Sequence, residues 1–179
     1  MFYNAKNGCL NIGGTTMDYL AFGKGKKNLI MIPGLGDGLK TAKGMAIPFA
    51  MMYRIFAKEY RVYVFSRKNK LKPGYTTKDM ADDLKNAMDM LGITRADIFG
   101  VSQGGMIAQH FAADYPKMVE KLVLVVTCAR ENPVLLESLQ EWTACARAGD
   151  HAALMDSNLR RIYSEAYYRK NKWMVPLIG

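Results

Sequence analysis

The sequence of 179 residues is poor in the side chains that bind metals or form disulfides. It holds three cysteines, two histidines and no Cys-x-x-Cys pair. An odd cysteine count without such pairs excludes a disulfide framework and gives no support to a zinc site. We therefore expect a protein without metal or other cofactor, located in a reducing cytoplasm, where free thiols persist.

Long apolar runs and targeting segments are also missing. No apolar stretch approaches the roughly 20 residues that a membrane-spanning helix needs. The first residues show no basic segment followed by an apolar one, so no signal peptide is indicated. Half of the residues are hydrophobic and 23% are charged, which excludes a disordered or fibrous chain. The expectation is a globular protein that does not bind membranes.

Acidic residues are the scarcer charge, with 16 against 25 lysines and arginines, and the net charge is +9. Such a surplus raises the question of nucleic-acid binding. The densest basic run, residues 67–72, has no interleaved aromatics and matches no nucleic-acid-binding motif. Net charge bears on solubility and steering rather than on fold. This run is therefore predicted to be a solvated loop, and no nucleic acid is expected as a partner.

The sequence does contain apolar runs that alternate with helical patterns. The strand-like runs are residues 9–12, 17–22, 29–32, 62–65, 97–100 and 122–126. Helical spacing is found at residues 41–60, 76–91 and 103–115. A Gly13-Gly14 turn between the first two runs predicts an antiparallel hairpin, and the later alternation is typical of right-handed crossovers in a parallel sheet. We predict a three-layer α/β protein with a mostly parallel sheet of about six strands.

The pattern changes after the last apolar run. Three amphipathic helices can be read there, and their expected N-caps are Asn132, Asp150 and Ser164. No further buried strand is readable. We therefore divide the chain into an α/β core, residues 1–132, and a helical segment, residues 133–179.

The strongest chemical signal is Gly100-Val101-Ser102-Gln103-Gly104, which matches Gly-x-Ser-x-Gly between a predicted strand and a predicted helix. A nucleophilic serine on such a turn needs small neighbours, because the strand and the helix approach closely; Gly100 and Gly104 supply them. The start of the helix adds partial positive charge and free N–H groups, which stabilise a developing oxyanion. Ser102 is the predicted nucleophile, and the alternative is a glycine-rich turn that only packs.

A second glycine-rich turn, residues 33–38, follows the apolar run at 29–32. It is not a dinucleotide-binding fingerprint, because position 39 is leucine. It is not a phosphate-binding loop either, since Leu39 separates the last glycine from Lys40-Thr41. We predict instead that the backbone N–H groups of Leu35 and Gln103 form an oxyanion hole. A tight turn without a ligand is the alternative.

Residues 1–132 resemble the α/β-hydrolase superfamily. The resemblance rests on Pro33-Gly34-Leu35-Gly36, which stands where the family often has His-Gly, on the elbow around Ser102, and on the run from Tyr115-Pro116 into the last apolar run. It implies a serine-dependent hydrolase of small carboxylic esters or related acyl substrates, and a helical cap that begins near residue 133. Related members catalyse lyase, perhydrolase and acyl-transfer reactions, so the family does not define the substrate.

The same resemblance implies a triad in the chain order serine, acid, histidine. Glu131 follows the last predicted strand and is the candidate acid. His110, on the elbow helix, and His151, in the helical segment, are interpreted as surface or packing residues. No C-terminal strands of the usual fold are readable, so we expect a serine hydrolase of which this sequence is the N-terminal part. The alternative is thus an inactive truncated scaffold or binding protein, with the strand at 122–126 as an exposed edge for self-association.

Overall fold

The structure, a computed structural model, describes residues 2–39 and 41–175. The last four residues of the predicted helical segment lie outside the described residues. The chain divides into two compact units, Met1–Ala129 and Arg130–Gly179. Within the described ranges, no helix combines the length and apolar character needed to cross a membrane.

The first unit is built on one sheet, to which the described part of the chain contributes six strands. They are β1 (Lys6–Ile12), β2 (Thr15–Phe22), β3 (Lys27–Ile32), β4 (Tyr60–Lys68), β5 (Ala96–Val101) and β6 (Val119–Val125). Their order across the sheet is β1-β2-β4-β3-β5-β6. β1 and β2 pair antiparallel, as do β2 and β4, whereas β4, β3, β5 and β6 run parallel to one another. The predicted α/β architecture with its N-terminal antiparallel hairpin is confirmed.

Short and long helices connect these strands. They are α1 (Gly36–Leu39), α2 (Ala46–Met52), α3 (Thr77–Met90) and α4 (Gln103–Asp114), followed by a 3₁₀ turn, Pro116–Met118. α3 begins at the expected capping box, in which the Thr76 hydroxyl accepts from the Asp79 N–H and the Asp79 carboxylate accepts from the Thr76 N–H. The helix predicted over residues 41–60 is shorter than expected. The chain after α2 forms tighter i→i+3 turns that bring it back to the sheet, where Tyr60 begins β4.

Both faces of the central strands are covered. Ile30 and Ile32 of β3 pack on the side of α3 and α4, while Leu29 and Met31 pack on the side of α2. All four side chains are at most 5% exposed. This arrangement explains the unbroken apolar run, because a parallel strand with helices on both faces buries every side chain.

β6 lies at the edge of the sheet and is far less buried. Leu122, Val123 and Leu124 are 38–43% exposed, and Val126, just beyond the strand, is 79% exposed. β6 ends at Val125, one residue before the predicted end of the strand. The backbone of Val126 has a φ of +45°, which a strand does not accommodate. An apolar edge of this kind presents unpaired backbone groups to other chains.

The second unit consists of helices in its described part. They are α5 (Pro133–Ala148), α6 (His151–Ile162) and α7 (Glu165–Asn171), with a 3₁₀ turn, Lys172–Met174. The side chains of Asn132, Asp150 and Ser164 each accept a hydrogen bond from a backbone N–H of the first turn, as expected of N-caps. The indole N–H of Trp142 on α5 donates to the Ser157 hydroxyl on α6 at 3.1 Å, which ties the two helices together.

Candidate active site

Ser102 lies between β5 and α4 on an unusual backbone. Its φ is +53° and its ψ is −122°, a conformation that a residue with a Cβ rarely adopts. Strain of this kind is concentrated at functional sites. The N–H of Ser102 donates to Val125 O at 2.9 Å, and its C=O accepts from Thr127 Oγ1 at 2.8 Å. These bonds hold the turn against the end of β6 while Ser102 itself is exposed.

The glycines on either side of Ser102 allow a close approach of strand and helix. A Cβ placed on Gly104 would lie 2.0 Å from Ile32 O and 2.5 Å from Pro33 O. A Cβ on Gly100 would lie 2.6 Å from Gly104 O. Because the clashing atoms are backbone, neither position accepts a larger residue without moving the main chain.

The turn after β3 lies directly beside Ser102. A Cβ on Gly34 would be 3.2 Å from Ser102 Cβ and 3.8 Å from Ser102 Oγ. Leu35, the next residue, is 59% exposed. The Asp37 N–H donates to Gly34 O at 3.2 Å and closes the turn. The two glycine-rich segments singled out in the sequence thus meet at the carboxyl ends of β3 and β5, which is the usual place for ligands in such sheets.

A buried polar network supports this turn, and we call Asp37, Ser66 and Arg67 the Arg67 network. The Asp37 carboxylate accepts from the Ser66 hydroxyl at 2.9 Å and from the Arg67 N–H at 3.0 Å. Burial raises the pKa of Asp37, an effect opposed by the Ser66 hydrogen bond and the Arg67 charge. Burial lowers the pKa of Arg67, and the Asp37 charge opposes that change.

The prediction of a solvated basic loop over residues 67–72 was wrong for its first two residues. β4 continues to Lys68, so Arg67 is only 7% exposed. Lys68 forms an ion pair with Asp83 of α3, which Tyr75 joins by donating to the same carboxylate at 2.7 Å. The sequence signal that could have predicted this ion pair is Asp83, an acidic residue on the buried face of α3. The remaining residues of the run, 69–72, are exposed as expected.

The other predicted site residues belong to both units. Gln103 begins α4 directly after Ser102, and its Oε1 accepts from Arg67 Nη2 at 3.3 Å. His110 is exposed on α4, whereas Glu131 and His151 are exposed in the second unit. Within the described residues of the first unit, no hydrogen bond joins Ser102 Oγ to a histidine or a carboxylate. Residues 2–39 and 41–175 contain no cluster of three His, Cys, Asp or Glu that could hold a metal ion.

Sequence reasoning missed the position of Arg67 beside the two glycine-rich segments. Its acceptors, Pro33 and Gln103, lie 34 and 36 residues away along the chain. The available signal was its place at the carboxyl end of a strand in a parallel sheet, where sites are built. Chemically, the arrangement offers an exposed hydroxyl on a strained turn, at a helix start that has free N–H groups.

Comparisons with known proteins agree with this geometry. A family model described as alpha/beta hydrolase fold matches residues 27–163. The structure of MGS-M2, an alpha/beta hydrolase enzyme from a Medee basin deep-sea metagenome library, is similar at 26% identity and a TM-score of 0.79, over 96% of this chain and 66% of that one.

Two curated relatives are similar over shorter stretches. Epoxide hydrolase 1 of Caenorhabditis elegans is 35% identical over 75 residues, 42% of this chain and 19% of that protein. A homoserine O-acetyltransferase of Thermus thermophilus is 41% identical over 61 residues, 34% of this chain and 16% of that protein. The chain thus spans about two thirds of the similar solved structure, and the matched stretches cover less than a fifth of these two relatives.

Proposed function

Because this chain belongs to the α/β-hydrolase fold family, we propose that Ser102 is the nucleophile of a serine hydrolase for small carboxylic esters or related acyl compounds. The observation that carries the proposal is the backbone of Ser102, with its φ of +53° at the start of α4. This conformation costs about 1–3 kcal/mol and exposes the hydroxyl. A turn with only a packing role would be more stable with an unstrained backbone.

The proposed reaction begins with attack of Ser102 Oγ on the carbonyl carbon of the substrate. The carbonyl oxygen becomes an oxyanion, which accepts hydrogen bonds from the backbone N–H groups of Leu35 and Gln103. Collapse expels the alcohol and leaves an acyl group on Ser102, which water then removes.

A serine hydroxyl alone is a weak nucleophile, so the mechanism requires a base that takes the Oγ proton. Glu131 is the candidate for the acid that orients this base. No residue of the described part of the chain is assigned as the base itself.

Covalent labelling tests the nucleophile. The chain is treated with a fluorophosphonate, and the adduct is located by mass spectrometry of proteolytic peptides. We expect one adduct, on Ser102, which disappears in Ser102→Ala and persists in the control Ser164→Ala, whose hydroxyl only caps α7. An adduct that survives in Ser102→Ala, or no adduct on the wild-type chain, would refute the assignment.

The second candidate is a non-catalytic scaffold or binding protein. It is favoured by one observation, that within the described residues of the first unit no histidine or carboxylate is hydrogen-bonded to Ser102 Oγ. Turnover of p-nitrophenyl acetate by the purified 179-residue chain, lost in Ser102→Ala, would eliminate this candidate.

A further inference from the structure

One guanidinium group contacts both segments that carry the proposed oxyanion donors, through a backbone carbonyl of the first and a side-chain oxygen of the second. Arg67 Nη2 donates to Pro33 O at 2.7 Å and to Gln103 Oε1 at 3.3 Å. Pro33 precedes the Gly34-Leu35 turn, and Gln103 follows Ser102. The two N–H bonds of Nη2 have fixed directions because the guanidinium is planar. The separation of the two segments is therefore set in part by Arg67.

The end of the same turn contacts two consecutive residues of β4, Ser66 and Arg67. Asp37 accepts from the Ser66 hydroxyl and from the Arg67 N–H. The Ser66 hydroxyl also accepts from the N–H of Ala42 at 2.8 Å. Consecutive residues at the end of β4 thus contact both the start and the end of the turn. Leu35, which carries one of the proposed oxyanion donors, lies between these two attachments.

Burial of the Arg67 network makes the free energy of folding less favourable, which indicates that the network has another role. Arg67 is 7% exposed, and its buried Nε has no hydrogen-bond partner among the described residues. A buried donor without a partner costs free energy, and buried charges are often replaceable by apolar residues without loss of stability. Unsatisfied buried groups are uncommon in native proteins, and each of them calls for an explanation.

We infer that Arg67, with Asp37, is a positioning residue that holds the backbone N–H of Leu35 in line with Ser102. This inference rests on the proposed function. The oxyanion contacts strengthen only as the transition state forms, so a displaced donor lowers kcat and leaves KM nearly unchanged. Partial unfolding also lowers apparent kcat at unchanged KM, so kcat is expressed per folded molecule and is read together with the amide exchange of α3.

The test uses Arg67→Lys with p-nitrophenyl acetate as the substrate. Lysine keeps the positive charge but has no planar fork that reaches both acceptors in fixed directions. We expect kcat to fall by up to about 100-fold, the loss that a misplacement of about 1 Å can cause, with KM within about twofold. The matched control is Arg61→Lys, which changes an exposed arginine of the same strand. Its kcat and KM should equal those of the wild-type chain.

Amide hydrogen exchange supplies a readout that does not need turnover. The Asp37 N–H, which donates to Gly34 O, reports on the turn, and the amides of α3 report on the remainder of the unit. We expect the Asp37 amide to exchange faster in Arg67→Lys than in the wild-type chain, with the exchange of α3 unchanged. If α3 also loses protection, Asp37→Asn replaces Arg67→Lys, because it loosens the same turn with a side chain of equal size.

The outcomes separate the two ideas. Faster exchange at Asp37 together with a lower kcat supports the inference, whereas unchanged exchange or an unchanged kcat overturns it. If the wild-type chain neither turns over ester nor reacts with fluorophosphonate, the proposed function fails. In that case the exchange rates alone decide whether Arg67 holds the turn.

Discussion

Replacement of Gly104 by alanine tests the geometry of the elbow most directly. The added Cβ would lie 2.0 Å from Ile32 O, where real Cβ contacts shorter than 3.0 Å are essentially never found. The main chain must therefore move by about 1 Å, the difference between these two distances. Ile32 is 3% exposed and lies in β3, which pairs with β4 on one side and β5 on the other. The carbonyl group of Ile32 therefore cannot easily move away from the added Cβ.

The magnitude follows from these contacts. One methyl group forced into a packed interior typically costs about 1–3 kcal/mol. The clashing atom here belongs to the backbone of a central strand, so we expect a loss of about 3 kcal/mol in the free energy of unfolding. For a chain of this size, each kcal/mol lowers Tm by about 2–4 °C. Gly104→Ala should therefore melt about 6–12 °C below the wild-type chain.

Differential scanning calorimetry measures this shift, with Gly36→Ala as the control. Gly36 lies on the neighbouring turn, and a Cβ there would meet no atom within 4 Å. The control makes the same chemical change without a clash, so its Tm should stay within about 2 °C of the wild-type value. If the two variants melted at the same temperature, α4 would not approach β3 as closely as described.

Three other measurements check separate features. Ser102→Gly should be more stable than Ser102→Ala by about 1 kcal/mol in urea unfolding, since glycine adopts a φ of +53° without strain; equal stabilities would argue against strain. The pKa of Asp156 is lowered by its hydrogen bonds from Arg160 and then Tyr168, so its stabilising effect is present above pH 3.8 and is lost as the pH falls through the folded pKa. Asp156→Asn should remove this part of the acid-induced loss of helical circular dichroism, and an unaltered acid transition would exclude the effect. We also expect the chain to self-associate through β6, and Val123→Lys on that exposed edge should reduce association in sedimentation velocity; no reduction would exclude β6 as the contact.

Elements with strong local signals were predictable. The apolar runs of β3 and β4, the capping box before α3 and the N-caps Asn132, Asp150 and Ser164 all follow from neighbouring residues. The hairpin and the parallel orientation of the later strands followed from the pattern of turns and crossovers, and the family resemblance is confirmed by the match over residues 27–163. Element ends were less predictable. The segment after α2 has an apolar spacing typical of a helix. In the structure it forms turns that lead into β4 at Tyr60.

The sequence by itself determined the position of Ser102, because the small residues that permit its turn lie within two positions of it. It could not identify Arg67, which looked like one more charge in a basic run. Only the tertiary structure decided its contacts, since Pro33 and Gln103 come within hydrogen-bond distance of Arg67 through the pairing of β3 with β4 and β5. The physical reason is that the steric requirements of a turn depend on residues adjacent in the sequence. The contacts of a buried charge depend on distant residues that the fold brings together.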